Sequence, residues 1–350
     1  MVQNLLHEKM NKIITLKKTK SVFYSLLFIV LSWLVIGCQN QTYNQYELER
    51  WMEDNGKIKV LSTTEMIGAI VKEIGKDKID HLSLIQSEQD PHSYELVKGD
   101  SEKLERANII FYNGLGLEHG PGLQSTLFHY AKAIALGDVV VEKYPDEIIY
   151  ENKVRDPHIW MDVALWAKII EPITETLIKY DPQNKIFYQE NADKIYQELM
   201  GINQVIKDKM HEIPEQKRYL VTSHDAFNYF ARSYLATEEE RKNDTWRKRF
   251  QAPEGLAPEG QISVVDVRRI VDFLKNHQIH VLFLESNVNP DSIEKIFSTG
   301  NRMGLKLFIA SEPLYGDSIG DCNYDKSNCY VNMLLHNANV IQVNLNKNYE

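Results

Sequence analysis

Cysteine is scarce in this chain, with three in 350 residues, at positions 38, 322 and 329. That excludes a disulfide-dense scaffold. Cys322 and Cys329 lie close together in a polar loop, and in an oxidising compartment this spacing reads as a small-loop disulfide. A zinc-binding pair would need a second Cys or His pair, which is not nearby; free thiols are the plain alternative. Positive charge is also in deficit, with 40 Lys and Arg against 49 Asp and Glu, a net −9. Such a balance argues against nucleic acid or polyanion partners and suits attraction of cations. No HExxH motif occurs, which removes the commonest zinc-hydrolase signature.

The apolar stretch Val22–Ile36 is short. As a helix it spans about 22 Å, less than the roughly 30 Å of a bilayer's hydrocarbon core. It follows a basic segment with Lys9, Lys12, Lys17, Lys18 and Lys20, and the pair reads as the n- and h-regions of a signal peptide. Val35-Ile36-Gly37-Cys38 resembles the bacterial lipobox, which implies removal of residues 1–37 and a lipidated Cys38; a plain secretory peptide or an uncleaved anchor is the alternative. Cleavage would leave a mature chain of net charge −13. The stretch 38–56, rich in Asn and Gln at its start, reads as a flexible tether. About 300 residues remain, enough for two lobes of ordinary size.

Strands alternate with helices along that remainder. Lys57–Ser62 is a β-rich run, and Thr63-Thr64 precedes an amphipathic helix with Met66, Ile67, Ile70, Val71 and Ile74. Strands are expected near Leu82–Ile85, Ile109–Tyr112 and Val139–Val141. Helices are expected at Glu102–Ala107 and Leu165–Tyr180, then over about Asn184–Met210, where roughly 27 residues make a rod of about 40 Å. Its sparse apolar positions include Ile186, Ile195, Leu199 and Val205. The alternation restarts with strand Tyr219–Thr222 and helix Phe227–Tyr234. A charged loop over Thr237–Gly260 leads to helix Ser263–Asn276, strand His280–Leu284, helix Asp291–Met303, strand Leu305–Ala310 and a helix around Tyr330–Ala338. This predicts an α/β fold of two lobes with mainly parallel sheets, residues 57–182 and 214–350, joined by a long backbone helix over 183–213.

Four positions stand out at the expected strand ends. Asp90-Pro91-His92 and Asp156-Pro157-His158 place two imidazoles after prolines that restrict the path of the chain. His224 follows Val221-Thr222-Ser223, and Asp317 lies in Gly316-Asp317-Ser318. Open α/β sheets bind ligands beyond their strands' carboxyl ends, and three imidazoles with one carboxylate suit Zn²⁺, Mn²⁺ or Fe²⁺. Glu285, at a strand end, is a candidate partner for a ligand imidazole. His81, His119, His129 and His336 each lack a second ligand at useful spacing, His211 ends the long helix, and His277 and His280 straddle a helix end and a strand start and read as surface residues.

These motifs resemble, in order from about residue 57 to 345, the TroA-like metal-binding lipoproteins of ABC importers for zinc, manganese and iron (cluster A-I). The resemblance is carried by the lipobox, both DPH tripeptides, Tyr112-Asn113-Gly114-Leu115, Thr222-Ser223-His224-Asp225-Ala226-Phe227, Leu284-Glu285-Ser286 and Gly316-Asp317-Ser318. It implies a cleft between the lobes that holds one divalent cation through His92, His158, His224 and Asp317. It further implies a monomer lipid-anchored outside the cytoplasm, partnered by a membrane permease and an ATPase. The segment between Gly120 and Arg155 holds one histidine, His129, where many zinc members carry a histidine-rich loop, so manganese and iron stand beside zinc. A metal-stabilised adhesin or structural lipoprotein is the alternative, and a metallohydrolase a more distant one, since four ligands leave little room for water. Three histidines that bind unprotonated predict a fall in affinity below about pH 6.

Overall fold

The computed structural model describes residues 48–86, 88–256, 262–320 and 329–349. The chain divides into two compact units, residues 1–55 and 56–350. In the first, residues 48–52 are helical; the signal peptide, Cys38 and the first part of the tether lie outside the described residues. Among the described residues no helix is long and apolar enough to cross a membrane.

The second unit opens with a four-stranded parallel sheet. Its strands are β1 (Ile58–Ser62), β2 (Ile79–Ser83), β3 (Ile109–Tyr112) and β4 (Ala133–Ala135), in the order β2-β1-β3-β4. Helix α1 (Glu65–Gly75) buries Met66, Ile67, Ile70, Val71 and Ile74, the five positions its periodicity marks. Its last residue, Gly75, has a packing reason to be glycine, because a Cβ there would lie 2.2 Å from Ile79 Cδ1. Helices α2 (Asp100–Arg106) and α3 (Pro121–His129) follow. Val139–Val141 is not a strand. It lies in helix α4 (Leu136–Lys143), and the strand is the preceding Ala133–Ala135. The Gly137 amide donates to the Asn113 carbonyl at 2.8 Å, so tertiary pairing at the β3 turn overrides the β-preference of three valines.

A short hairpin, β5 (Tyr150–Glu151) with β6 (Val154–Arg155), precedes the second DPH. Helix α5 (Ile170–Tyr180) then leads into α6 (Lys185–His211), 27 residues long. Its buried stripe is Tyr188, Ala192, Ile195, Leu199, Ile206 and Met210, with Asn191 and Asn203. Ile186 and Val205 are exposed instead. The long helix packs against α1, α5 and the last helix, α9 (Cys329–Asn346), which also touches α1.

The second sheet repeats the first in miniature. Strands β7 (Leu220–Val221) and β8 (Phe250–Gln251) pair in parallel, as do β9 (Val281–Leu282) and β10 (Phe308–Ile309). The Phe283 amide joins the pairs by donating to Val221 O at 3.0 Å. The order is therefore β8-β7-β9-β10, the connectivity of the first sheet. Helices α7 (Val264–Asn276, capped by the Ser263 side chain) and α8 (Asp291–Arg302) cover one face with Ile270, Val271, Leu274, Ile293 and Ile296. A larger apolar cluster runs from Val60 to Leu345 and includes residues of both lobes and α6. Within the segment expected as a loop over Thr237–Gly260, the described residues 237–256 carry helix Glu238–Lys242, a tight turn over Trp246–Arg249 and β8.

Candidate metal centre

His92 follows β2 by way of the Asp90-Pro91 turn, in which Asp90 Oδ1 accepts the His92 amide at 2.9 Å. His158 follows β6 in the same local form, with Asp156 Oδ1 accepting its amide at 2.9 Å. His224 leaves β7, and Asp317 lies after the Glu285–Leu314 bridge that extends the second sheet. All four side chains are buried, and one ligand-capable atom from each falls within 4.8 Å of all the others.

The contacts converge on Asp317. Its Oδ2 lies 3.0 Å from His224 Nε2 and 3.6 Å from His92 Nε2, and its Oδ1 lies 3.3 Å from His158 Nε2. The Nε2 atoms of His92 and His158 are 3.3 Å apart. Neither Asp317 oxygen nor His224 Nε2 has a well-aligned hydrogen bond. Buried polar atoms in that condition are costly. Their convergence, in a donor set of three imidazoles and one carboxylate, fits a transition-metal ion.

The other face of two imidazoles is also occupied. His158 Nδ1 lies 2.7 Å from Asp156 Oδ1, and His224 Nδ1 lies 2.8 Å from Glu285 Oε2. Glu285 Oε1 further accepts the amides of Ser223 and His224 at 2.9 and 3.0 Å. Asp156 thus faces His158 as Glu285 faces His224, and of the two contacts the one at His158 is the well-aligned hydrogen bond. The sequence pointed to Glu285 but gave Asp156 no role beyond its place in the tripeptide. Gly316 is required by this closeness, since a Cβ would stand 2.2 Å from Glu285 Oε2. Trp160 Nε1 donates to Gly316 O at 2.9 Å and ties the second DPH segment to the Asp317 loop.

The charges are polarised. Burial brings His92 down to about 3, so it is neutral. For His158 burial acts downward, but Asp156 and Asp317 outweigh it and lift the imidazole to about 9. His224 is likewise raised, burial being overcome by Glu285 and Asp317. Asp317 is held well below the carboxylate range by His224 and His158, against its own burial. His119, partly exposed, has its ring 5.5 Å from that of His92; His129, His277 and His280 lie apart from the four-residue cluster. Cys329 is disulfide-bonded, and Cys322 lies outside the described residues.

Residues 60–343 match the family described as zinc-uptake complex component A, periplasmic. The chain belongs to this family of metal-binding substrate-binding proteins of ABC transporters. It is 37% identical over 308 residues to the metal-binding protein YtgA of Chlamydia trachomatis, covering 88% of this chain and 92% of the relative. It is 29% identical to the manganese-binding lipoprotein MntA of Bacillus subtilis, covering 81% and 89%. Among solved structures, Fe(III)-bound YtgA from Chlamydia trachomatis matches with a TM-score of 0.78 at 37% identity, over 84% of this chain and 100% of that one. The periplasmic zinc-binding protein TroA from Treponema pallidum matches with a TM-score of 0.75 at 27% identity, over 83% and 100%. These relatives are named as binding proteins, not enzymes.

Proposed function

We propose that this chain captures one transition-metal ion outside the cytoplasm through His92, His158, His224 and Asp317, and hands it to a membrane permease driven by an ATPase. The observation that carries this reading is the convergence of four buried ligand-type side chains, among which both Asp317 oxygens and His224 Nε2 lack a well-aligned hydrogen bond. Complete burial disfavours a hydrolase, because a catalytic site needs a position open to water and substrate. Zinc, manganese and iron all remain in the set: relatives are named for zinc and for manganese, and the YtgA structure holds Fe(III). Submicromolar capture requires more than about 8 kcal/mol, which a desolvated ion held by imidazole and carboxylate ligands can supply. Cys38 is read as the lipid anchor, residues 38–56 as its tether and α6 as the rod between lobes 57–182 and 214–350. Cys322 is read as the partner of Cys329.

The direct test is elemental analysis of protein purified without added metal, followed by calorimetric titration with Zn²⁺, Mn²⁺ and Fe²⁺. One tightly bound ion per chain is expected, and the double substitution His92→Ala with His224→Ala removes it. A double variant that keeps one tightly held ion would refute the site.

A further inference from the structure

His158 belongs to the first lobe by sequence, yet the segment that carries it is hydrogen-bonded mainly to the second. Asn228 Nδ2 donates to Asp156 Oδ2 at 3.1 Å, and the Tyr229 hydroxyl donates to Asp156 O at 3.1 Å while accepting the Ile149 amide at 3.0 Å. Five residues on, the Tyr234 hydroxyl accepts the Val163 amide at 3.0 Å. Trp160 is held at both ends, by Nε1 on Gly316 O and by its carbonyl, which accepts the Tyr330 hydroxyl at 2.6 Å. Asn113 makes a tie to the first lobe, through Pro157 O at 3.0 Å. Ile159, Trp160 and Met161 are buried in the shared core.

The loop that carries His92 is fastened differently. Asp90 binds the His92 amide and the Ser93 hydroxyl, while Asp100 binds the Tyr94 hydroxyl and the Val97 amide. These bonds close the loop on itself and on the start of α2. Its reach across the cleft runs through the exposed Glu88, whose Oε2 accepts the Ser318 hydroxyl at 3.2 Å.

We propose that the site assembles three plus one: His158, His224 and Asp317 form a platform within one mechanical block, Asn228 and Tyr229 position His158 through Asp156, and His92 is the closing ligand brought by the first lobe. This rests on the metal-capture reading above. The two-and-two division suggested by chain order then gives way to a division set by hydrogen bonding. Release follows from withdrawal of His92, which leaves the ion on three ligands and exposed on one side.

The test is titration with Co²⁺, whose visible absorption reports coordination, of the wild-type chain and of His92→Ala, His158→Ala and Asn228→Ala. His92→Ala should still bind one Co²⁺ per chain with an altered spectrum and a loss of roughly a hundredfold in affinity, while His158→Ala loses far more. Asn228→Ala should lose about tenfold to a hundredfold, the range for groups that orient a ligand. It should do so equally in the His92→Ala background, because it acts on the platform. Circular dichroism of the metal-free variants separates these effects from misfolding; should His158→Ala fail to fold, the Asn228→Ala comparison still decides. Equal losses for His92→Ala and His158→Ala, or no effect of Asn228→Ala on affinity or spectrum, would overturn the inference while leaving metal capture intact. A wild-type chain that binds no Co²⁺, Zn²⁺ or Mn²⁺ would overturn the capture reading itself.

Discussion

Glu285 shows how far one side chain's chemistry is set by its neighbours. Its carboxylate takes two backbone amides and faces His224 Nδ1, so Glu285→Gln keeps the shape and removes the charge. Metal affinity should fall about tenfold to a hundredfold, read by calorimetry; an unchanged affinity would mean that His224 is oriented by other contacts. The pH dependence belongs to the same scale. His158 and His224 are raised by their carboxylate neighbours, so in the metal-free chain they hold protons that an incoming ion must displace. Protons compete below the metal-free value, so affinity should already decline as pH drops through about 9 at His158, above the value near 6 expected of ordinary histidines. Titrations at pH 9, 7.5 and 6 should show a steady fall, and a plateau down to pH 6 would contradict it. The four clustered residues were legible because each sits on a short motif at the end of a strand. Asp156, Asn228 and Trp160 were not legible as partners, because their roles come from contacts between segments far apart in sequence.

At the scale of elements, the segment after helix 228–235 shows charge concealing order. Thr237 and Glu240 form a capping box on helix Glu238–Lys242, and the Glu240 carboxylate accepts Arg249 Nε and Nη2, both at 2.8 Å. Lys248 Nζ lies 2.7 Å away. Burial raises this acid, yet the Arg249 and Lys248 contacts overcome it and bring it to about 2. A folded value below the unfolded one of about 4.3 means that the unfolded chain binds the proton first. The stabilisation is therefore complete above about pH 5 and fades as pH falls toward 2. Glu240→Gln should cost about 3 kcal/mol near pH 7, the lower range for breaking a buried ion pair, and progressively less in acid. Urea unfolding at pH 7 and pH 3 measures this; an equal deficit at both would remove the carboxylate from the account. In sequence these residues look like a solvated charged loop, since only the fold supplies the burial that makes them structural. Val139–Val141 erred the other way, a local β-preference overruled by the turn at Asn113.

At the scale of the molecule, the larger of two apolar clusters draws on both lobes, while a smaller one lies under α7 and α8. Leu199 and Ile206 on α6 join residues from Val60 to Leu345 in a single cluster, and α9, late in the chain, packs back onto α1. A hinge between separate cores would let each lobe unfold alone, whereas a shared core couples them. The long helix was legible from its length, but the sharing was not, because it depends on where α9 docks. Leu199 is fully buried, so Leu199→Ala should cost about 2–5 kcal/mol and lower the melting of both lobes in one transition. Metal adds to this through mass action: an ion bound by the folded chain alone, at a hundred times its Kd, contributes about 2.7 kcal/mol. Mn²⁺ or Zn²⁺ at that excess should therefore recover a comparable part of the Leu199→Ala deficit, and recover none of it in the added background of His158→Ala. Differential scanning calorimetry with and without metal measures both effects. Two separated transitions in Leu199→Ala would show that the lobes are independent, and metal rescue that survives loss of His158 would place the stabilising ion elsewhere.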